Sequence, residues 1–280
     1  MPTSTTPVGR LLLERAITVA ARRAAAPGNL RFTERQLYYE TCRVLRPTPA
    51  PVRRIPHSPA PPLRLARFTE ALRGREPAGL LPAPATAAPT IGGPAREPDL
   101  YAYGLPRLLI CQDRAIAGML LANHAHLEAA CPVLSAEDDL PLDPRLVEAL
   151  ERAEGATVHV LHDASPTGIA LPARVREGLG PASVRVASLG LVPRHAEALR
   201  LVSGRRPAPV PPLGPLPRGL RPAEAAWLAG GRFAEVAAVP PARLLRAVLR
   251  LTRGPRPARH SVWSDLRELR TAGFMTWPDA

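Results

Sequence analysis

Between residues 104 and 190 the chain alternates short apolar runs with longer amphipathic stretches, and this alternation constrains the fold more than any other feature. The apolar runs have the length of buried β-strands, and the stretches between them have the periodicity of helices. Strands that alternate with helices of this length favour a parallel α/β sheet. The predicted elements are strand 107–111, helix 114–128, strand 131–135, helix 143–153, strand 157–163, helix 168–178 and strand 183–190.

The first 75 residues have a different character, because no strand-length apolar run occurs there. The pattern predicts three short helices over 8–25, 34–45 and 63–74, and Thr33 is the candidate N-cap of the second. With Leu80-Leu81 as a candidate wing, these helices suggest a winged-helix module whose second helix is able to face DNA. Further helices are predicted over 222–230, 241–253 and 262–271.

Proline divides the chain, with 36 prolines among 280 residues. Residues 46–62 and 204–222 are so rich in proline that they are not expected to form regular elements, and their role is not assigned. We predict a winged-helix-like DNA-binding domain over 1–75 and a Pro/Ala/Gly-rich wing or linker over 76–103. An α/β domain with a C-terminal helical extension follows over 104–280.

The charge of the chain is segregated along its length. The net charge is +13 and all 37 basic residues are arginine. Residues 1–75 carry a net charge of +10, residues 97–180 carry −7, and residues 181–280 carry +10. Cationic ends around an acidic middle are typical of a protein that binds nucleic acid and holds a metal ion. The alternative is that an arginine-rich composition alone produces the charge.

Several classes of protein are not expected. No apolar run approaches the length of a transmembrane helix, and the N-terminus lacks the pattern of a secretory signal. The three cysteines lack the spacing of metal ligands, and their odd number does not favour a disulfide framework. We therefore predict a cytoplasmic protein without a membrane partner.

The helix with Arg35 and the pair Tyr38-Tyr39, followed by a parallel α/β domain, resembles the A subunit of topoisomerase VI and the related meiotic double-strand-break proteins. That family pairs an R-x-x-Y-Y helix with a Toprim domain. The resemblance covers roughly residues 30–45 and 105–200, and it implies that the α/β domain is Toprim-like. The segments that resemble the Toprim motifs are LLICQDRAIAGML (108–120), VHVLHDASPTGIAL (158–171) and SLGLVPRHAEAL (188–199).

The resemblance implies a catalytic pair. Tyr39 matches the tyrosine that attacks a DNA phosphodiester and stays covalently attached, and Arg35 lies one helical turn earlier. An arginine there can stabilise the charge of the transition state or lower the pKa of the phenol. The alternative is that Tyr38 and Tyr39 are ordinary core and surface residues of a helix.

The resemblance also implies a Mg²⁺ site made of one glutamate and two aspartates. At the matching positions this chain has Gln112, Asp163 and Ser165, so two of the three carboxylates are replaced. Because hard divalent cations need carboxylate charge, these replacements predict weakened metal binding. The candidate replacement ligands are Asp113, Glu137 and Asp139. The alternative is that the acidic stretch at 137–139 is simply a loop before a helix.

Two functions follow from the resemblance. The first is a tyrosine transesterase that cleaves DNA, built as a homodimer with shared sites and served by an ATPase subunit. The second is a catalytically inactive scaffold that binds DNA for a partner complex. A nuclease without a covalent intermediate ranks below both, because it needs the same carboxylates. The candidate phosphate contacts are Arg22, Arg23, Arg53 and Arg54. The alternative is that these arginines form a solvated face without a ligand.

Overall fold

Four short apolar segments pair side by side as a parallel sheet. The computed structural model describes residues 7–46, 57–83, 104–206 and 219–252, and its sheet has the strand order β2-β1-β3-β4. All three pairings are parallel, so the prediction of an α/β fold with a parallel sheet is confirmed. The strands are β1 (Arg107–Cys111), β2 (Val133–Ser135), β3 (Thr157–Leu161) and β4 (Arg185–Ser188).

Both faces of the two central strands are buried, because successive side chains point to opposite faces and both faces are covered. Leu108 and Ile110 of β1 lie in an apolar cluster with the helices on one face, whereas Leu109 and Cys111 lie in the cluster on the other. This explains why the strands read as continuous apolar runs. The helices of the first face are α6 (Pro144–Arg152) and α7 (Pro166–Gly178), and those of the second include α4 (Arg114–Ala122) and α5 (Ala125–Ala129).

The N-terminal helices extend the second of these clusters. They are α1 (Pro7–Ala25), α2 (Glu34–Leu45) and α3 (Leu65–Leu72). Thr33 caps α2 as predicted: the Gln36 N–H donates to Thr33 Oγ1 at 3.1 Å, and the Thr33 N–H donates to Gln36 Oε1 at 2.9 Å. This reciprocal pair is a capping box, which satisfies two backbone donors at the start of the helix.

The expectation that helix 34–45 faces DNA is wrong. Seven consecutive residues of α2, from Gln36 to Cys42, are buried. A helix can be buried all round only when neighbours cover every side, and α2 packs against α1 and against a 3₁₀ turn at Val236–Ala238. A DNA groove therefore has no access to the middle of α2 in this structure.

The single helix predicted over 114–128 is instead two helices, α4 and α5. Asn123 ends α4 because its side-chain Nδ2 donates both to the Met119 carbonyl at 2.8 Å and to the Arg31 carbonyl at 2.9 Å. His124 then adopts a left-handed backbone conformation with φ of 58°. An asparagine that binds backbone groups in this way competes with continuation of the helix.

The C-terminal third adds elements that the sequence did not indicate. A two-stranded antiparallel sheet joins β5 and β6, and Phe32 forms an isolated bridge with Leu80 where a wing was predicted. Within the described ranges, no helix is long and apolar enough to cross a membrane. The predicted helix 262–271 lies outside the described residues. The helices predicted over 222–230 and 241–253 are present as α9 (Pro222–Ala229) and α10 (Pro241–Thr252), whereas β5 begins the segment 204–222, where no regular element was expected. The new elements are α8 (Pro193–Ala198), β5 (Gly204–Arg205) and β6 (Arg232–Phe233).

Thr33→Ala should destabilise the protein by about 1 kcal/mol, because the start of α2 loses its side-chain acceptor. Urea unfolding followed by far-ultraviolet circular dichroism measures the change. Thr33→Ser keeps the hydroxyl and is the matched control, so it should stay close to wild type. An equal loss of stability in both variants would show that the methyl group of Thr33, rather than its hydroxyl, matters.

Candidate functional site

The carboxyl ends of β1 and β3, the first turns of α2 and the segment 234–238 meet at one place. Arg35 of α2 forms an ion pair with Glu235, and the backbone N–H of the next residue, Val236, donates to Asp163 at the end of β3. The charges of Arg35 and Glu235 influence both Asp163 and Asp113. We call Arg35, Tyr39, Asp113, Asp163 and Glu235 the junction cluster.

Arg35 is held from two sides. Its Nε and Nη2 donate to the two carboxylate oxygens of Glu235, each at 2.5 Å. Its guanidinium carbon also lies 5.4 Å from the ring centroids of Tyr38 and of Tyr39. A planar guanidinium suits both contacts, because it forms paired hydrogen bonds in its plane and lies over aromatic rings. Arg35 is therefore positioned to fix α2 against the segment 234–238.

Tyr39 is buried, with 3 % of its surface exposed. Its ring lies edge-on to that of Tyr38, with 5.0 Å between the centroids. Burial raises the pKa of Tyr39 well above its usual value, and the negative charge of Glu235 raises it further, whereas Arg35 lowers it. The phenol is therefore protonated at neutral pH. Tyr38 has a structural contact of its own, because its hydroxyl donates to the Leu63 carbonyl at 2.7 Å.

Asp163 is hydrogen-bonded through its side chain and its main chain. Its Oδ1 accepts the Val236 N–H at 2.7 Å, and its own N–H donates to Gln112 Oε1 at 2.9 Å. Burial raises the pKa of the Asp163 carboxyl to about 7, although the hydrogen bond from Val236 lowers it; Glu235 and Asp113 raise it as well. The carboxyl is therefore far less acidic than an exposed aspartate.

Gly168 allows this close arrangement. A Cβ at that position would lie 2.3 Å from the Asp163 carbonyl oxygen and 2.6 Å from Gln112 Oε1. Both distances are too short for any real contact, so only glycine lets α7 begin so close to the ends of β1 and β3. Ser165, which matches a metal ligand of the family, caps α7 by accepting the Gly168 N–H at 3.1 Å.

The other predicted ligands also have local partners. Asp113 caps α4 by accepting the Ala115 N–H at 2.7 Å, and Asp139 accepts the Ser135 N–H at 2.7 Å. Glu137 is exposed in the same loop as Asp139. This loop follows β2, which is separated from β3 by β1, so about 10 Å divides the two strand ends. The structure thus brings Asp113 near Asp163 but holds Asp139 in its own turn.

The donor set does not fit a magnesium ion. Gln112, Asp163 and Ser165 each direct a side-chain oxygen to a backbone N–H, and two of the three carry no charge. Mg²⁺ requires charged oxygens arranged around it in near-octahedral geometry. Among the residues that the structure describes, no three His, Cys, Asp or Glu side chains are grouped to hold a metal. We therefore derive no chemical step through a metal ion.

No protein-family model matches this chain, and no similar curated protein or solved structure was found. The fold and the junction cluster are consequently interpreted from this chain alone.

Sequence reasoning missed Glu235, which is the partner of Arg35. One signal was present: only two acidic residues, Glu224 and Glu235, lie between positions 198 and 264, and Glu235 stands within an apolar stretch. The pairing itself joins residues 200 positions apart, so it required the tertiary structure.

The predicted DNA contacts divide into two groups. Arg22 and Arg23 are exposed in the last turn of α1. Arg53 and Arg54 lie outside the described residues. Arg15, two turns before Arg22, is exposed as well and was not among the predicted contacts.

Asp163→Asn should change how stability depends on pH. Asparagine keeps an oxygen acceptor for the Val236 N–H but does not ionise. Because folding raises the pKa of Asp163 from 3.8 to about 7, the folded state binds more protons than the unfolded state between these values. Hence the free energy of unfolding of the wild type, relative to the variant, should fall as pH rises through that range. Urea unfolding at a series of pH values measures this difference.

The free energy of unfolding of the wild type minus that of Asp163→Asn is the quantity to follow. If this difference stays constant between pH 3.8 and about 7, or increases with pH, the environment described for Asp163 is wrong.

Proposed function

We propose that this chain binds double-stranded DNA as a scaffold and does not cleave it. The observation that carries the proposal is the outward face of α1. Arg15, Arg22 and Arg23 are exposed there, and none of the three forms an ion pair within the described part of the chain. The nearby Glu14 already binds Arg10 and Arg75.

Uncompensated arginines on one helix face favour a polyanionic partner. Arg15 and Arg22 are seven residues apart, so they lie on the same side of α1, about 10 Å apart along its axis. Arginine forms paired hydrogen bonds with phosphate oxygens, and DNA presents a dense series of phosphates. The net charge of +13 adds a long-range attraction to the same partner.

The junction cluster supports a scaffold rather than an enzyme. The Tyr39 phenol is buried and protonated, and the Arg35 guanidinium binds both carboxylate oxygens of Glu235. The oxygens of Asp163 and Ser165 stabilise backbone groups. These side chains thus have structural partners at the positions where the resemblance implies catalysis. A homodimer, an ATPase partner and a cytoplasmic location remain predictions from the sequence.

The triple variant Arg15→Gln/Arg22→Gln/Arg23→Gln should bind a labelled DNA duplex more weakly than wild type. Each lost phosphate contact removes about 0.9 from the slope of log K against log salt, so the slope should fall by about 2 to 3. Fluorescence anisotropy at several salt concentrations measures it.

The matched control is Arg145→Gln/Arg174→Gln/Arg185→Gln, which removes the same charge from exposed positions on α6, α7 and β4. It should keep the wild-type slope. If both triple variants reduce the slope of log K against log salt by the same amount, the binding depends on net charge and the assignment to α1 is wrong. If the wild type does not bind the duplex at all, the proposed function is wrong.

One observation favours a second candidate, DNA cleavage through Tyr39. The junction cluster places Arg35 and Glu235 beside the Tyr39 ring. In such a reaction the phenol oxygen would attack a phosphorus atom, Glu235 would accept the phenol proton, and the displaced sugar oxygen would leave and take up a proton. The step requires a rearrangement that exposes Tyr39.

Supercoiled plasmid incubated with wild type or with Tyr39→Phe distinguishes the two candidates. The scaffold predicts intact plasmid after the protein is stripped with detergent, and the same result for both proteins. Nicked or linear DNA whose mobility depends on protease treatment, and which is absent with Tyr39→Phe, would establish cleavage and overturn the scaffold proposal.

A further inference from the structure

The helix α10 carries a second row of arginines. Arg243, Arg246 and Arg250 are exposed and follow each other at intervals of three and four residues, so they share one face of the helix. The sequence of α10, PARLLRAVLRLT, contains no acidic residue. No ion pair to any of the three occurs within the described ranges, and only Arg246 has a side-chain hydrogen bond, from Nε to the Ala242 carbonyl of its own helix.

The opposite face of α10 is buried. Leu244, Leu245 and Val248 belong to the same apolar cluster as α1, α2 and one face of the sheet. These contacts fix the helix against the protein, and its exposed side consists of the three arginines and Leu251. We call Arg243, Arg246 and Arg250 the α10 arginine face.

The α10 arginine face begins beside the junction cluster. Arg243 lines a cavity of about 100 Å³ together with Leu161, the last residue of β3, and Val236, whose N–H binds Asp163. The helix also packs against α1. The arginines of α1 and α10 therefore lie on neighbouring helices, on the side of the sheet opposite to α6 and α7.

We propose that the α10 arginine face is a second phosphate-binding surface, which holds a DNA duplex next to the carboxyl end of β3. This inference rests on the proposed function, because it assigns a further part of the surface to the same ligand. Three guanidinium groups along about 10 Å of helix present a row of charge of the kind that a phosphate backbone requires. No carboxylate of the described residues pairs with any of the three, so each is available to a phosphate.

A nucleic acid suits this face better than a lipid surface does. A helix that lies in a membrane interface inserts its apolar side among the acyl chains. In α10 that side is already buried against the protein. The one large apolar side chain that α10 exposes is Leu251, which is too little for insertion into a membrane, whereas phosphate contacts with a duplex require only the arginines.

The test compares Arg243→Gln/Arg246→Gln/Arg250→Gln with the α1 triple variant and with the control Arg145→Gln/Arg174→Gln/Arg185→Gln. All three variants change exposed side chains of the full chain and lower its charge equally. We expect the α10 variant to reduce the slope of log K against log salt by about 2 to 3 for duplex DNA, while the control keeps the wild-type slope. Sedimentation with vesicles of anionic lipid is measured in parallel.

The outcomes separate this inference from the proposed function. If the α1 variant reduces the slope of log K against log salt but the α10 variant keeps the wild-type slope, as the control does, the α10 inference is wrong and the proposed function stands. If the α10 variant alone loses binding, the inference stands and the role of α1 is wrong. If the wild type binds no duplex, both are wrong. Vesicle binding that depends on the three α10 arginines, without duplex binding, would replace DNA with a membrane.

Discussion

The five residues from Ala234 to Ala238 connect the helical N-terminus of the chain to the sheet. Ala234 exchanges two backbone hydrogen bonds with Ala164 just after β3, and Val236 donates to the buried carboxyl of Asp163. From the other side, Arg35 binds Glu235, and Arg43 donates to the Ala238 carbonyl at 2.6 Å. One short segment therefore binds the carboxyl end of β3 and two arginines of α2, and it covers a part of α2 that α1 does not.

The segment 234–238 covers the carboxyl edge of the sheet at the end of β3. The carboxyl edge of a parallel sheet is where ligands usually bind, because loops there leave a crevice. Here the segment 234–238 lies against that edge, because the Val236 N–H donates to the Asp163 carboxyl and Ala234 pairs with Ala164 through the backbone. Tyr39 is buried beside this segment, and burial together with the negative charge of Glu235 raises its pKa. The arginines on the outer faces of α1 and α10 are exposed.

Local patterns in the sequence were sufficient where neighbouring residues decide the structure. The cap at Thr33 and the buried strands β1 and β3 follow from residues within a few positions of one another. The burial of α2 does not, because α1 covers only part of it and the segment 234–238, about 200 positions later, covers another part. The break between α4 and α5 likewise depends on Asn123 binding the backbone of Arg31, 92 residues away. A helical period shows that a face is apolar, but it does not show whether the polar face will also be covered.

The proposed DNA surface comprises the α1 and α10 arginines and excludes the opposite side of the sheet. Because every basic side chain in the sequence is arginine, one arginine-specific dicarbonyl reagent reports on the whole basic surface. The decisive measurement is modification by this reagent with and without duplex DNA, read by peptide mass spectrometry. The account predicts protection of Arg15, Arg22, Arg243, Arg246 and Arg250, with Arg145 and Arg174 modified equally in both samples. Protection of Arg145 and Arg174 instead, or no protection under conditions where the duplex is bound, would contradict it.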